Sequence, residues 1–180
     1  PMAQLTPDFA SFEKAWAEGR NQLVYARIAA DLDTPVSLML KLGEARGDTF
    51  MLESVTGGEI RGRYSVVGLK PDLIWRCRGT KVEINREARF DPAAFQPLSA
   101  PPLESLRALI AESRLETMPE GVPPVAAGLF GYLGYDMIRL VEHLPHVNPD
   151  PLDTPDAMMM RPSVVAVLDG VKGDVILVAP

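Results

Sequence analysis

The stretch from Thr49 to Arg86 most constrains the fold, because it is a series of strand-like segments separated by short turns. "TFMLES" runs into a Gly57-Gly58 turn, "RYSVVGL" leaves that turn, and "LIWRCRG" follows the sequence "KPD". "KVEIN" then comes after a Gly79-Thr80 turn. Strands joined by short turns pair antiparallel, since parallel neighbours need a crossover of about a dozen residues or more. The segment therefore predicts an antiparallel sheet of three or four strands.

Three helices are predicted outside this series of strands. A Thr-Pro pair precedes two of them, and Thr6 is expected to cap the first helix with Pro7 at its first position. The second helix is expected from Pro35 to Leu42 and the third from Pro102 to Leu115. Three apolar residues predict the buried side of the third helix: Leu103, Leu106 and Ile110. Together with the antiparallel strands, these flanking helices predict an α+β fold.

The remaining segments add strands at both ends of the chain. Leu23–Asp31 is rich in β-branched and aromatic residues and is therefore predicted to form a strand. Residues 87–102 are rich in proline and alanine, which predicts a linker or an ordered excursion. "HVNPDPLDTPDAMMMRP" predicts a loop, and "SVVAVLD" and "DVILVA" flank "GVKG" as a hairpin. Because so apolar a last strand usually has neighbours on both sides, its end at Pro180 indicates a chain cut from a longer protein, and a natural C-terminal strand is the alternative.

The composition excludes several classes of function. A net charge of −6 argues against a dedicated nucleic-acid-binding protein, which normally carries a basic stripe. Cys77 is the only cysteine, so a disulfide framework and a thiolate metal cluster are excluded and a reducing cytoplasm is predicted. Nowhere do eighteen apolar residues follow one another, so no membrane-spanning helix is predicted. The sequence predicts a soluble cytoplasmic protein without nucleic-acid or membrane partners.

Two motifs suggest a metal site and a phosphate-binding loop, but neither has the required pattern. His143 and His146 lie three residues apart, but a proline between them disrupts the helix that would align them as metal ligands. "GLFGYLGYD" has glycines at 128, 131 and 134, without the glycine order or the Gly-Lys-Ser/Thr of a phosphate loop. These glycines are expected to thin a strand so that another backbone can approach closely. The residues therefore predict neither a metal site nor a catalytic centre.

The hairpin in "MLESVTGGEIRGRYSVVG" concentrates polar groups around its turn. Glu53 and Ser54 end one predicted strand, and Arg63, Tyr64 and Ser65 begin the next. An arginine can bind a carboxylate through two hydrogen bonds, a glutamate can meet an ammonium group, and a tyrosine offers a flat apolar wall. The set suits an amino acid with an aromatic side chain. A solvated turn that binds nothing is the other interpretation.

These residues also carry a resemblance to a known family. "FMLESVTGGEIRGRYSVVG", preceded by "DTPVSLMLKL" and followed by "GLFGYLGYDMIRLVEHLP", resembles the amino-terminal region of anthranilate synthase component I, a member of the chorismate-utilising enzymes. The resemblance extends from about Ala15 to Ala179. The Leu-Glu-Ser and Arg-Tyr-Ser motifs at this spacing are its most specific part. "GYLGYD" is shared with aminodeoxychorismate synthase component I, but the unbroken Arg-Tyr-Ser favours the anthranilate branch.

The resemblance implies both a reaction and a regulatory site. Proteins of this family convert chorismate and ammonia to anthranilate and pyruvate with Mg²⁺, and a glutamine amidotransferase partner, component II, supplies the ammonia. Tryptophan, the product of the pathway, inhibits them. The Leu-Glu-Ser motif lines the inhibitor pocket in the family. The resemblance therefore implies a tryptophan-binding set in this sequence: Leu52, Glu53 and Ser54, with Arg63, Tyr64 and Ser65 from the neighbouring motif.

The resemblance also implies what this sequence lacks. The family binds chorismate and Mg²⁺ in a carboxy-terminal region that is absent here, so residues 1–180 are expected to be the regulatory part of a two-sheet sandwich and inactive alone. No catalytic or metal-binding residue is expected among them. Two alternatives stay open: aminodeoxychorismate synthase component I of the folate pathway, where bound tryptophan is structural, and a free-standing amino-acid-binding module.

Overall fold

The computed structural model describes residues 3–43, 47–53 and 62–180. Two short 3₁₀ helices in this part of the chain cover Pro124–Ala126 and Tyr135–Leu140. The longer elements follow in the order α1 (Phe9–Ala17), β1 (Val24–Ala29), α2 (Pro35–Leu42), β2 (Phe50–Leu52), β3 (Tyr64–Arg78), β4 (Lys81–Asn85), β5 (Gln96–Leu98), α3 (Pro102–Glu112), β6 (Phe130–Leu133), β7 (Ala157–Asp169) and β8 (Asp174–Ala179). The predicted α+β class, an antiparallel sheet with a few helices, is confirmed. No helix among the described residues is long and apolar enough to cross a membrane.

The described residues divide into two compact units. The first unit comprises Pro1–Pro71, Arg114–Gly128 and Pro162–Pro180, and the second comprises Asp72–Ser113 and Leu129–Arg161. The division falls within β3 and within β7, so each of these long strands contributes one part to each unit. The described residues of the predicted hairpin site lie in the first unit.

The first unit is built on the strand order β1-β8-β7-β3, with β2 paired to β3. β8 pairs antiparallel with both β1 and β7, which confirms that this apolar strand has two neighbours. Helix α2 begins after Thr34, whose hydroxyl accepts a hydrogen bond from the backbone N–H of Ser37 at 3.0 Å. Its buried Leu38 packs into a core cluster with Val67 of β3 and Ala166 of β7. The helix therefore covers the sheet next to the hairpin.

The second unit has its own core. β3 pairs antiparallel with β4 and β4 with β5, while β6 pairs with β7. Trp75 is completely buried and packs with Leu106 and Leu109 of α3. Its indole N–H donates to the Ser105 hydroxyl at 3.0 Å, so the polar part of this large side chain is satisfied inside the core.

Several predicted boundaries change. "RYSVVGL" and "LIWRCRG" were expected as separate strands, but β3 runs through both because Lys70 alone adopts a left-handed conformation, φ 50°, before Pro71. β7 begins at Ala157, so "AMMMRP" belongs to a strand and the prediction of a loop there was wrong. Residues 87–102, expected as a linker or an ordered excursion, are an excursion that contains β5, a short edge strand paired with β4.

Two helix details also differ from prediction. Asp8, not Thr6, caps α1, because its carboxylate accepts the N–H of Ser11 at 2.8 Å while Thr6 forms an isolated bridge with Tyr25. The buried side of α3 is formed by Pro102, Ser105, Leu106 and Leu109, whereas Ile110 is exposed. The expected Leu103-Leu106-Ile110 face was therefore displaced by about one position around the helix.

Candidate ligand-binding hairpin

The predicted site lies at the outer end of the β2–β3 ladder. Phe50 pairs with Gly68, Met51 with Val67 and Leu52 with Val66. Glu53 and Ser65 occupy the next positions beyond Leu52 and Val66. The structure thus brings Leu52 and Glu53 beside the Tyr64–Ser65 start of β3, as the strand pattern around the turn predicts. Ser54 lies outside the described residues.

The side chains along β2 and just beyond it differ in exposure. Met51 packs against the core cluster beneath α2, whereas its neighbour Leu52 is 53% exposed. Glu53 is exposed as well, Tyr64 is partly buried and Ser65 is buried. One apolar and one acidic side chain therefore stay accessible at the strand end, while the inward residues anchor the hairpin.

Arg63 is bound to an acidic residue that the sequence analysis did not identify. Its Nε donates to Oδ1 of Asp169 at 2.9 Å and its Nη2 donates to Oδ2 at 2.6 Å, a pair joined across 106 residues of sequence. The guanidinium carbon also lies 5.0 Å from the centroid of the Tyr64 ring, within cation–π range. Arg63 is therefore held by Asp169 and Tyr64 before any ligand arrives.

Asp169 is the most buried charged group of this region, with 2% of its surface exposed. The hydrogen bonds from Arg63, with those from the backbone N–H groups of Val171 and Lys172, lower the pKa of its carboxyl group against the opposing effect of burial. The same ion pair raises the pKa of Arg63. Both groups are therefore charged at neutral pH.

This ion pair predicts an acid-sensitive fold. A carboxyl group whose pKa is lowered by folding stabilises the native state above its unfolded pKa of about 3.9, and loses that contribution as the pH falls towards the folded value. The Asp169→Asn variant should be less stable at neutral pH and should lose less further stability on acidification. Urea unfolding of both proteins from about pH 7 to about pH 2.5 measures this difference. If the free energy of unfolding fell equally with pH in the two proteins, the result would contradict a stabilising role for the ion pair.

The other motifs show structural roles. A Cβ on Gly131 would overlap the carbonyl of Met158 on the neighbouring strand, which confirms that this glycine permits close backbone approach. His143 and His146 are exposed, and no group of three or more His, Cys, Asp or Glu residues in the described ranges could hold a metal ion. Burial raises the pKa of the Cys77 thiol, so it stays protonated.

Comparison with known proteins tests the resemblance. No family model matches the chain. Proteins named anthranilate synthase component 1 are similar to it, however: that of Cereibacter sphaeroides is 77% identical over 172 residues, covering 96% of this chain and 34% of the relative. That of Pseudomonas aeruginosa is 37% identical over 171 residues, covering 91% of this chain and 33% of the relative. The chain therefore spans about a third of the length of the curated relatives it matches.

A solved structure agrees at the level of the fold. The crystal structure of anthranilate synthase component I from Streptococcus pneumoniae TIGR4 superimposes with a TM-score of 0.52 and 22% identity, over 82% of this chain and 29% of that one. Fold and hairpin thus define an α+β domain with a candidate site for a small ligand. More particularly, the chain is homologous to part of anthranilate synthase component I, and the resemblance predicted from its motifs is confirmed.

Proposed function

We propose that this chain is the amino-terminal portion of an anthranilate synthase component I and that its β2–β3 hairpin binds the inhibitor tryptophan. The observation that carries the proposal is 77% identity across 96% of the chain to a protein of that name. The complete polypeptide would convert chorismate and ammonia to anthranilate and pyruvate in the cytoplasm. Component II would supply the ammonia from glutamine.

The chemistry of the hairpin supports an amino-acid ligand. Glu53 is exposed and can accept hydrogen bonds from an ammonium group, and the preceding residue, Leu52, offers exposed apolar surface at the same strand end. Arg63 uses two of its N–H groups on Asp169, and an arginine has five. The remaining donors suffice for a ligand carboxylate. Ser54, Tyr64 and Ser65 complete the proposed set.

The reaction itself would use residues outside this chain. Mg²⁺ prefers several oxygen ligands, and the described residues offer no group of three or more candidate ligands for a metal ion. As the resemblance implies, we assign the Mg²⁺ and chorismate sites to the carboxy-terminal region of the complete polypeptide and expect residues 1–180 alone to be inactive. Tryptophan would inhibit by favouring a conformation that binds chorismate weakly, and chorismate must oppose tryptophan binding to the same extent.

Replacement of Ser54 tests the inhibitor site. In the complete polypeptide, the Ser54→Ala variant should need about tenfold more tryptophan for half-inhibition while its uninhibited turnover stays nearly intact, because only the inhibitor loses a hydrogen bond. Anthranilate fluorescence measures both quantities. Ser163→Ala is the matched control, since the Ser163 hydroxyl in β7 donates a hydrogen bond to the backbone carbonyl of Lys70 in β3 at 2.6 Å. Unchanged sensitivity of Ser54→Ala to tryptophan would contradict the assignment of the tryptophan site to this hairpin.

The same assay separates the rival functions. Aminodeoxychorismate as the product would identify the folate-pathway enzyme, although the similar proteins of Cereibacter sphaeroides and Pseudomonas aeruginosa carry the anthranilate name. A reading frame that stops at Pro180 would instead favour a free-standing amino-acid-binding module. Within the leading proposal, the isolated 180-residue chain is expected to bind tryptophan weakly, because part of the pocket lies elsewhere.

A further inference from the structure

Arg63 is fixed at two points, both at the end of β7. Its backbone carbonyl accepts the N–H of Gly170 at 2.9 Å, and its guanidinium forms the two-bond pair with Asp169. Arg63 stands directly before the first residue of β3, where the chain enters that strand from the hairpin turn. The β7–β8 turn therefore determines where the hairpin enters the sheet.

Asp169 is itself held rigidly. Its Oδ1 accepts the backbone N–H of Val171 at 3.0 Å and that of Lys172 at 3.2 Å, in addition to Nε of Arg63. A carboxylate that accepts hydrogen bonds from its own turn cannot rotate freely. Because it also binds two guanidinium nitrogens, it fixes the plane of Arg63 as well as its distance.

A second ion pair lies in the neighbouring strands. Asp174 of β8 pairs in register with Asp169, and its Oδ2 accepts a hydrogen bond from Nη1 of Arg27 in β1 at 3.2 Å. Asp174 also contributes to raising the pKa of Arg63. Each of the two aspartates is thus paired with one arginine. Arg63 would therefore contribute directed N–H groups to a ligand more than net positive charge.

We propose that Asp169 is a positioning residue of the tryptophan site and acts through Arg63. Asp169 occupies the Nε–Nη2 edge of the guanidinium and leaves both N–H groups of Nη1 and one of Nη2 for a ligand carboxylate. Loss of the Asp169 carboxylate frees the Arg63 side chain to rotate, so the ligand must bear the cost of ordering it. This inference rests on the proposed function and adds a residue of β7 to the regulation of that site.

A double-mutant cycle on the complete polypeptide tests it. Half-inhibition by tryptophan is measured for Asp169→Asn, Arg63→Lys and the double variant, each relative to its own uninhibited rate. Asp169→Asn and Arg63→Lys should each raise the required tryptophan about tenfold, within the usual range of coupling between sites. The double variant should be no worse than the more affected single variant, within about twofold, because both changes remove one interaction. A double variant whose rise in required tryptophan equals the product of the two single rises would overturn the proposal.

A matched control comes from the second unit. Arg161 binds Asp72 in the same two-bond geometry, with Nε to Oδ1 at 2.9 Å and Nη2 to Oδ2 at 2.7 Å. Asp72→Asn should leave half-inhibition within about twofold of the wild type, since a general loss of stability is not the proposed cause. An equal loss of tryptophan sensitivity in Asp72→Asn would overturn the positioning role.

The outcomes separate this inference from the proposed function. If Asp169→Asn fails to fold, the test uses Arg63→Lys alone. Unchanged inhibition by tryptophan in Arg63→Lys would refute the proposal, because Asp169 is proposed to act through Arg63. A wild-type enzyme that tryptophan does not inhibit would refute the proposed function. A tryptophan-sensitive Asp169→Asn variant beside a resistant Ser54→Ala variant would refute only the role of Asp169.

Discussion

Replacing Gly131 with alanine is expected to destabilise the second unit by about 3 kcal/mol, at the upper end of the usual cost of overpacking. The added Cβ would overlap the carbonyl of Met158, which is backbone and cannot rotate away. β6 and β7 would have to separate where Gly131 pairs with Met159. The expected loss of stability is large because the backbone itself must move, and this movement would disrupt the hydrogen bonds between β6 and β7.

Urea unfolding followed by tryptophan fluorescence measures this loss. Trp75 is completely buried in the second unit, whereas Trp16, the other tryptophan of the chain, is 73% exposed. Gly47→Ala is the matched control, because a Cβ there meets no atom within 4 Å. The control should be neutral or stabilised by up to about 1 kcal/mol through the reduced freedom of the unfolded chain. Equal unfolding midpoints for both variants would contradict the close approach of β6 and β7.

The Gly68→Ala variant should combine lost stability with lost regulation. A Cβ on Gly68 would overlap the ring of Phe50, its register partner on β2. Moving an aromatic ring out of a packed strand pair costs about 1–3 kcal/mol. Because β2 carries Leu52 and Glu53 into the proposed site, its displacement should also raise the tryptophan needed for half-inhibition. Unfolding and inhibition curves of the complete polypeptide measure the two effects.

A compensating change gives this prediction its control. Phe50→Leu removes the ring atoms that the new methyl group would meet, so Gly68→Ala combined with Phe50→Leu should recover part of the lost stability and of the lost inhibition. A double variant that is worse than Gly68→Ala alone would show that the ring is not what the methyl group displaces.

Much of the fold could be predicted because it is specified locally. The Thr-Pro signal before α2 predicts its observed bounds, since the capping hydrogen bond joins residues three apart. The β3–β4 hairpin follows in the same way from its short Gly79-Thr80 turn. The spacing of glycines in "GLFGYLGYD" also predicted a close backbone approach, which Gly131 makes.

Two strand features could not be predicted from the local sequence: the continuity of β3 and the existence of β5. Lys70 and Pro71 indicate a break between strands, but β3 continues because one left-handed residue absorbs the irregularity. β5 is only three residues long and contains a proline, so its strand pattern is too short to recognise.

The candidate site could be predicted only in part. Its β2 and β3 residues lie close together in sequence, and the ladder places them side by side. Asp169 has one local signal, an Asp-Gly pair at a turn, but nothing near it indicates that its partner is Arg63, 106 residues earlier. Long-range ion pairs leave no periodic pattern in a single sequence, and for this reason Asp169 was found only in the structure.

The most direct test of the central claim is the rate of anthranilate formation by the complete polypeptide with increasing tryptophan. Chorismate and ammonia should yield anthranilate, tryptophan should suppress this rate in the wild type, and Ser54→Ala should relieve the suppression. A rate that stays unchanged at saturating tryptophan would contradict the claim that this chain carries the feedback site.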